Sequence, residues 1–217
     1  MKIITSFSPT RIDAQKRALE TWKKYNIPIQ AVQCMGENYA LQFVSDIIWV
    51  QPNIHWSKRT PSIVDMFPDE PAIIINSDIE MEESDLSRWE YKPNELKIGL
   101  RTDYIPNEPT VQLNKYGIDI FSFHPEMKEV LRNPLWALGI PGWDYWYVYK
   151  LYCAGYMVKF YNDQIMHEAH KEQWLMHDHV RCCKLLEWEF GLTASEISQQ
   201  LQEITHRSNI PRQRPMA

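Results

Sequence analysis

The sequence predicts an α/β domain with a central, mainly parallel sheet flanked by helices. Three observations carry that prediction. Strand-like and helix-like segments alternate along the chain. One strand-like run, Ala72-Ile73-Ile74-Ile75, is apolar without interruption, as a strand covered on both faces requires. The 217 residues are 44% apolar and 24% charged, which is globular composition and enough for a single domain with a full core. Seven glycines exclude a collagen-like chain, while nine tryptophans and eleven tyrosines point to a thick core or a stacking site.

Taken in order, Lys2 to Phe7 is a short β-branched run and gives the first strand. Ser8 and Thr10 flank Pro9, where a helix can start, and Ile12, Ala18, Leu19, Trp22 and Tyr25 recur at helical spacing. Pro28 disfavours helical backbone at Ile27, so this helix stops near Asn26. Ile29 to Val32 and Ile47 to Val50 read as strands, and Pro61 to Phe67 as a short helix closed by Pro68. The apolar run at 72–75 leads straight into Asn76-Ser77-Asp78-Ile79-Glu80. Leu96 to Leu100 and Ile118 to Phe123 are further strands. Pro125 to Arg132 reads as a helix with an early proline. Trp143 to Ala154 is an aromatic helix with Gly155 as its C′ residue. Met157 to Tyr161 reads as the last strand. Beyond Val180 the pattern is helical only, and Thr193-Ala-Ser-Glu196 is a capping box opening a final helix to about His206. The tail from 207 to 217, with Arg207, Arg212 and Arg214, reads as loose.

Charge narrows the classes. The net charge is −5, so no global basic field exists to hold nucleic acid. Between Asp65 and Glu95 ten acids face only Arg88 and Lys92, which leaves the rest of the chain slightly basic. No apolar run approaches the ~18–20 residues of a membrane helix. The opening MKIITSFSPTR turns polar by Thr5, too early for a signal sequence. The expectation is a cytoplasmic protein. Cys34, Cys153, Cys182 and Cys183 form no CxxC, which fits reduced thiols. GxGxxG, GxxxxGK[ST] and GxSxG are all absent, so dinucleotide, P-loop and serine-hydrolase readings lose their main support.

Three constellations carry chemistry. Asp78 and Glu80 follow the most buried-looking strand, and in open α/β sheets ligands collect at the carboxyl ends of strands. A hard cation such as Mg²⁺ or Mn²⁺ takes one or two carboxylates together with phosphate oxygens; the plainer reading is an Asp capping the next turn. In Gly139-Ile-Pro-Gly-Trp-Asp-Tyr-Trp146, Asp144 opens the aromatic helix, where the helix dipole favours a carboxylate. It reads either as a cap or as a general base walled by Trp143, Tyr145 and Trp146. Burial raises and the dipole lowers its pKa, so it is expected to stay ionised near neutrality. In Met166-His-Glu-Ala-His170, His167 or His170 can complete a carboxylate metal site. A zinc set of His167, His170, His179 and Cys182 matches no standard spacing. Softer candidates are Thr5, Ser6 and Arg11 at the first strand end, where backbone N–H groups can hold a nucleotide. Lys58 and Arg59, and Arg101 and Asp103, can meet a diphosphate or a sugar.

In this order the pieces resemble glycosyltransferases of the GT-A fold. Within that group, INSDI, then YGIDIFSF from Tyr116 to Phe123, then GWDYW, then HxxH are similar to small glycosyltransferase-like proteins of bacteria and phages. The resemblance covers residues 1–175 and implies a Rossmann-like GT-A domain over about 1–178; residues 176–217 fall outside it, and the helices read over 179–206 are expected to pack on that domain. The nucleotide-binding part would reach about 103 and the acceptor part 104–178. It implies transfer of a sugar from a nucleotide-sugar donor to a hydroxyl acceptor with Mn²⁺ or Mg²⁺. Asp78, Glu80, His167 and His170 would serve the metal. Thr5, Ser6, Arg11, Arg59, Asn76, Ser77, Arg101 and Asp103 would serve the donor. Asp144 would be the base, and Tyr116, Asp119, Trp143, Tyr145 and Trp146 would meet the acceptor, which could be a glycan, a small molecule or a modified phage DNA base. The sequence departs from the family at Asn76, where DxD begins with Asp, and at Trp143, where the later motif carries Glu before Asp. A nucleotidyltransferase shares the acidic strand end but expects a Gly-rich basic loop near the N-terminus, and this chain has none. A non-enzymatic zinc or binding module is the other alternative.

Overall fold

The structure is a computed structural model that describes residues 1–82, 86–106, 108, 111–161, 165–170 and 175–208. Side chains 86, 87, 111–116 and 206–208 also lie outside the description. Among the described residues nine strands form one sheet: β1 (Lys2–Thr5), β2 (Ile29–Cys34), β3 (Ile47–Val50), β4 (Ala72–Ile75), β5 (Ile79–Met81), β6 (Glu95–Tyr104), β7 (Val111–Phe123), β8 (Met157–Tyr161) and β9 (Ile165–Glu168). The order is β3-β2-β1-β4-β7-β6-β9-β5, with β8 also paired to β6. β3, β2, β1 and β4 pair in parallel; β7 runs against both β4 and β6, and β5 runs against β9. β8 and β9 pair parallel to β6. All the strands except β5 and β7 therefore point the same way, and the mainly parallel α/β prediction holds.

The β3-β2-β1-β4 segment has the order of a Rossmann-like doubly wound sheet, in which the chain reverses direction across the sheet between β1 and β4. That switch point leaves a crevice outside the carboxyl ends of β1 and β4. α1 (Ile12–Lys23) covers one face, burying Ala18, Leu19 and Trp22 with Ile73 and Ile75. α2 (Trp143–Cys153), α3 (Met176–Phe190) and α4 (Ala194–Ser208) cover the other, burying Trp146, Tyr147, Leu186, Ile197 and Leu201 with Ala72 and Ile74. Successive β4 side chains thus enter two different cores, which is why the run carries no polar residue. The Thr193–Glu196 capping box forms as read: Glu196 Oε2 accepts from Thr193 N at 2.7 Å, and Glu196 N donates to Thr193 Oγ1 at 3.2 Å.

Some elements differ from the sequence reading. Met157–Tyr161 is not the last strand, because β9 follows it. β5 begins directly after Asp78. Both are short strands that pair with each other, too brief for a two-residue alternation to reveal. The helix expected over 125–132 is only a 3₁₀ turn, Pro125–Met127. The expected loose tail lies largely outside the described residues.

Candidate active site

One cavity of about 470 Å³ lies at the switch point. It is walled by the loop after β1, the turn after β4, the carboxyl-terminal parts of β6 and β9, the middle of β7 and the start of α2. The β1–α1 loop is shaped by Gln15, a buried polar residue on the apolar face of α1. Its Oε1 accepts from Ser8 N at 2.8 Å and Ser77 Oγ at 2.9 Å, and its Nε2 donates to Ser8 O at 2.9 Å and Thr10 O at 2.6 Å. The two loops of the crevice are therefore tied through one carboxamide.

At the β4 end, Asp78 meets β9. The ligand atoms of Asp78, His167 and His170 lie within 4.8 Å of one another, and among the described residues these three form the group able to hold one ion. The Nε2 atoms of both histidines lie 3.6 Å from Asp78 Oδ2. His167 is buried, and its Nδ1 donates to Asp103 Oδ1 at 2.8 Å. That bond fixes the ring and leaves Nε2 for the cluster, as carboxylate-held metal ligands do. Burial would push the Asp78 carboxyl up, but His167, His170 and Arg11 around it hold it well below the usual carboxylate range. Burial disfavours a charged His167, yet hydrogen bonding to Asp103 and to Asp78 prevails and its pKa lies above the usual value.

The floor is a second set of charges. β7 pairs with β4 so that Asn76 N donates to Asp119 O, and Asn76 Nδ2 donates to Asp119 Oδ1 at 2.5 Å. Arg101 Nη1 donates to Asp119 Oδ2 at 2.6 Å, and Arg101 Nε lies 2.9 Å from Asp103 Oδ1. Gly117 makes room for that guanidinium arm: a Cβ at 117 would sit 2.6 Å from Arg101 Cγ and Nε. The carboxylates of Asp119 and Asp103 are thus joined through one arginine, and Asp103 passes the chain to His167.

Across the cavity stands Asp144 in the first turn of α2. Desolvation pushes its carboxyl up to about 7 from the usual 3.8, and the Asp119 charge adds to this; the backbone N–H groups of Tyr145 and Asp144 and the Arg101 charge oppose it without prevailing. The expectation that burial and dipole would balance is corrected here: burial dominates.

The predicted residues divide clearly. Ser6, Arg11, Arg59, Asn76, Ser77, Asp78, Arg101, Asp119, Trp143, Asp144, Tyr145, His167 and His170 all line the cavity. Glu80 does not join the ion cluster; it sits on β5, where its Oε1 accepts from Tyr104 Oη at 2.6 Å and lies 3.5 Å from Arg17. In the β5–β9 register Ile79 lies opposite His167 and Glu80 opposite Met166, so Glu80 takes the other face of the sheet from His167. Thr5 is fully buried and donates to Ile75 O at 2.8 Å, tying β1 to β4. Trp146 is core: its ring stacks on Trp136 at 5.4 Å and its Nε1 donates to Glu189 at 2.9 Å. Asp103 acts behind His167 and does not line the cavity. The side chain of Tyr116 lies outside the described residues. Arg59 is bound at the rim to Met35 O and faces Glu37 at 3.4 Å. Cys182 is buried against Gly142, and among the described residues it does not join the group formed by Asp78, His167 and His170. Residues the sequence reading passed over include Gln15, Gln33 and Tyr39. Gln15 was detectable as a polar residue at a core position of the α1 stripe; nothing local marks the other two.

No family model matches the chain, and no curated protein matches its sequence. Among solved structures it is similar to a protein assigned as a glucose-1-phosphate thymidylyltransferase from Bacillus anthracis, 9% identical with a TM-score of 0.44 over 83% of this chain and 94% of that one. It is similar to a glycosyltransferase involved in glycosylation of the major capsid of PBCV-1, 10% identical with a TM-score of 0.39 over 83% and 98% of the two chains. A third likeness is to the glycosyltransferase GlyE of Streptococcus pneumoniae TIGR4, 10% identical with a TM-score of 0.43 over 97% of this chain and 65% of that one. No helix among the described residues is long and apolar enough to cross a membrane.

Proposed function

We propose that the chain is a metal-dependent glycosyltransferase that moves a sugar from a nucleoside-diphosphate donor to a hydroxyl of an acceptor. The observation that carries this reading is the meeting, in one cavity at the switch point of a Rossmann-like sheet, of an Asp-His-His cluster on one side and the Asp144 carboxylate on the other. The GT-A resemblance of the sequence names the same residues in the same order.

The donor set fits a divalent cation. Two imidazole nitrogens and one carboxylate suit Mn²⁺ or another first-row ion better than Mg²⁺, which prefers oxygen alone. When bound, such an ion neutralises the charge that develops on a departing diphosphate. The protein's own residues do the rest. Asp78, His167 and His170 hold the cation, and Asp103 orients His167. The loop after β1, ordered by Gln15, receives the nucleotide. Asp119, locked by Asn76 and Arg101, faces the sugar between the two sides. Asp144 Oδ takes the proton from the acceptor hydroxyl as its oxygen attacks the anomeric carbon; Trp143 and Tyr145 bound the acceptor side.

A donor screen tests this. Nucleotide sugars are added with Mn²⁺, and melting temperature and slow donor hydrolysis are followed. The reading requires that at least one donor raise the melting temperature only when Mn²⁺ is present, and that Asp78→Asn abolish the effect. No response to any nucleotide sugar would end it.

A further inference from the structure

Arg11 occupies the carboxylate on which the cation site depends. Its Nη1 donates to Asp78 Oδ2 at 2.6 Å, the same oxygen that both histidine Nε2 atoms face at 3.6 Å. The guanidinium is held from behind as well. Nη2 donates to Glu168 O at 2.9 Å and lies 3.5 Å from the Glu168 carboxylate, one residue beyond His167. Glu168 is in turn paired with Arg17. The backbone of Arg11 is left-handed, with φ 56° and ψ 40°. A left-handed non-glycine residue is uncommon and persists where its surroundings hold it, and such residues cluster at active sites, ligand clamps and switch regions. Arg11 also lines the cavity, so its side chain borders the space a donor would enter.

A divalent ion on Asp78 Oδ2 would stand within a few ångströms of this guanidinium, and like charges at that range repel strongly in a half-buried site. The two cations therefore compete for one oxygen. A diphosphate changes the balance, because its oxygens accept the two parallel N–H groups of an arginine fork.

We propose that Arg11 is a built-in competitor for the cation: it occupies Asp78 until an anionic donor draws it away, so that cation and donor bind cooperatively. The inference rests on the cation reading given above. It makes free metal bind weakly and couples metal affinity to the presence of a phosphate group. By linkage the coupling is reciprocal: the cation strengthens anion binding by the same factor.

The test is Mn²⁺ titration, with free Mn²⁺ read by its electron paramagnetic resonance signal, on the wild type, Arg11→Met and Arg11→Gln. Each is titrated with and without inorganic phosphate. The two variants guard against one of them folding poorly, and melting curves verify both. The expected result is that neutralising Arg11 tightens Mn²⁺ binding by about 5- to 150-fold, the usual range of coupling between sites, and that phosphate strengthens Mn²⁺ binding in the wild type more than in the variants. Adding Asp78→Asn to Arg11→Met should remove the gain. Unchanged or weaker Mn²⁺ binding in folded Arg11 variants, beside measurable binding in the wild type, overturns the role of Arg11 and leaves the cation site standing. If neither wild type nor variants bind Mn²⁺ with phosphate present, the cation reading falls and this inference with it.

Discussion

His167 Nδ1 donates to Asp103 Oδ1 at 2.8 Å, and this bond decides which nitrogen of the ring faces Asp78. Asp103 lies opposite His167 in the parallel register of β6 and β9, so the pair is set by sheet hydrogen bonding before any ligand arrives. Removing such an outer partner commonly costs 10–100-fold in metal affinity. Asp103→Ala is expected to weaken Mn²⁺ binding by about that factor while the cavity stays formed. Mn²⁺ titration checks it, and unchanged affinity would mean that the ring is held by packing alone.

Asp78 is the charged member of the cluster, and Asp78→Asn keeps its volume and its ability to accept from Arg11. The variant should melt within a few degrees of the wild type and lose at least ~10²-fold in turnover, several kcal/mol of transition-state stabilisation. His167→Ala should weaken Mn²⁺ binding more than His170→Ala, because His167 is buried and anchored whereas His170 is more exposed. Turnover of a donor by purified Asp78→Asn near the wild-type rate would remove Asp78 from the chemistry.

Much of this site is legible in the sequence because it follows strands whose burial is written in their composition. Ala72 to Ile75 announces β4, and whatever follows a strand covered on both faces must lie at its carboxyl end. Asp78 is found that way, and Ser6 and Arg11 after β1 likewise. Glu80 fails for a physical reason: the chain re-enters the sheet as β5 only one residue past Asp78, so a motif read as a loop is partly strand. Trp146 fails because an aromatic helix offers the same residue types to a core as to a ligand, and only the contact with Trp136 and Glu189 tells them apart. Asp103 and Arg101 acquire their roles from register across β6, β7 and β9, a long-range relation that no local pattern encodes.

Gly142 is the N-cap of α2, with φ +71°, and a Cβ there would overlap Cys182 Sγ. The position is doubly restricted, by backbone conformation and by the packing of α3 against the start of α2. Gly142→Ala is expected to cost ~1–3 kcal/mol, as overpacking a tight contact does, or about 2–4 °C of melting temperature per kcal/mol at this chain length. It should also displace Asp144 two residues on. The double variant Gly142→Ala/Cys182→Ala should recover only part of the loss, since the left-handed backbone remains unfavourable. Full recovery would show that the clash alone matters.

Asp144 offers the sharpest division between a structural and a chemical role. Its carboxyl is pushed up to about 7 by desolvation and by Asp119. The unfolded chain titrates near the usual 3.8. Between these values the folded protein binds the extra proton, so the free energy of unfolding falls as pH rises from about 4 to about 7, and the cost is fully present above that. Asp144→Asn removes this slope. Its melting temperature, relative to the wild type, should rise with pH through that window and level off beyond it. Loss of a helix-end carboxylate alone would instead subtract ~0.5–2 kcal/mol with no such trend. Catalysis carries the opposite dependence: a base must be ionised, so kcat/KM of the wild type should climb toward neutral pH and flatten above about 7. Asp144→Asn should keep donor and Mn²⁺ binding, lose that pH limb and transfer sugar ~10²–10⁴-fold more slowly, the usual scale for a general base. Melting temperature, donor affinity and transfer rate measured on this one variant across pH 5–9 (a range set by roughly two units either side of neutrality) decide the matter. A variant that transfers at the wild-type rate, with its pH limb intact, assigns the proton to another group.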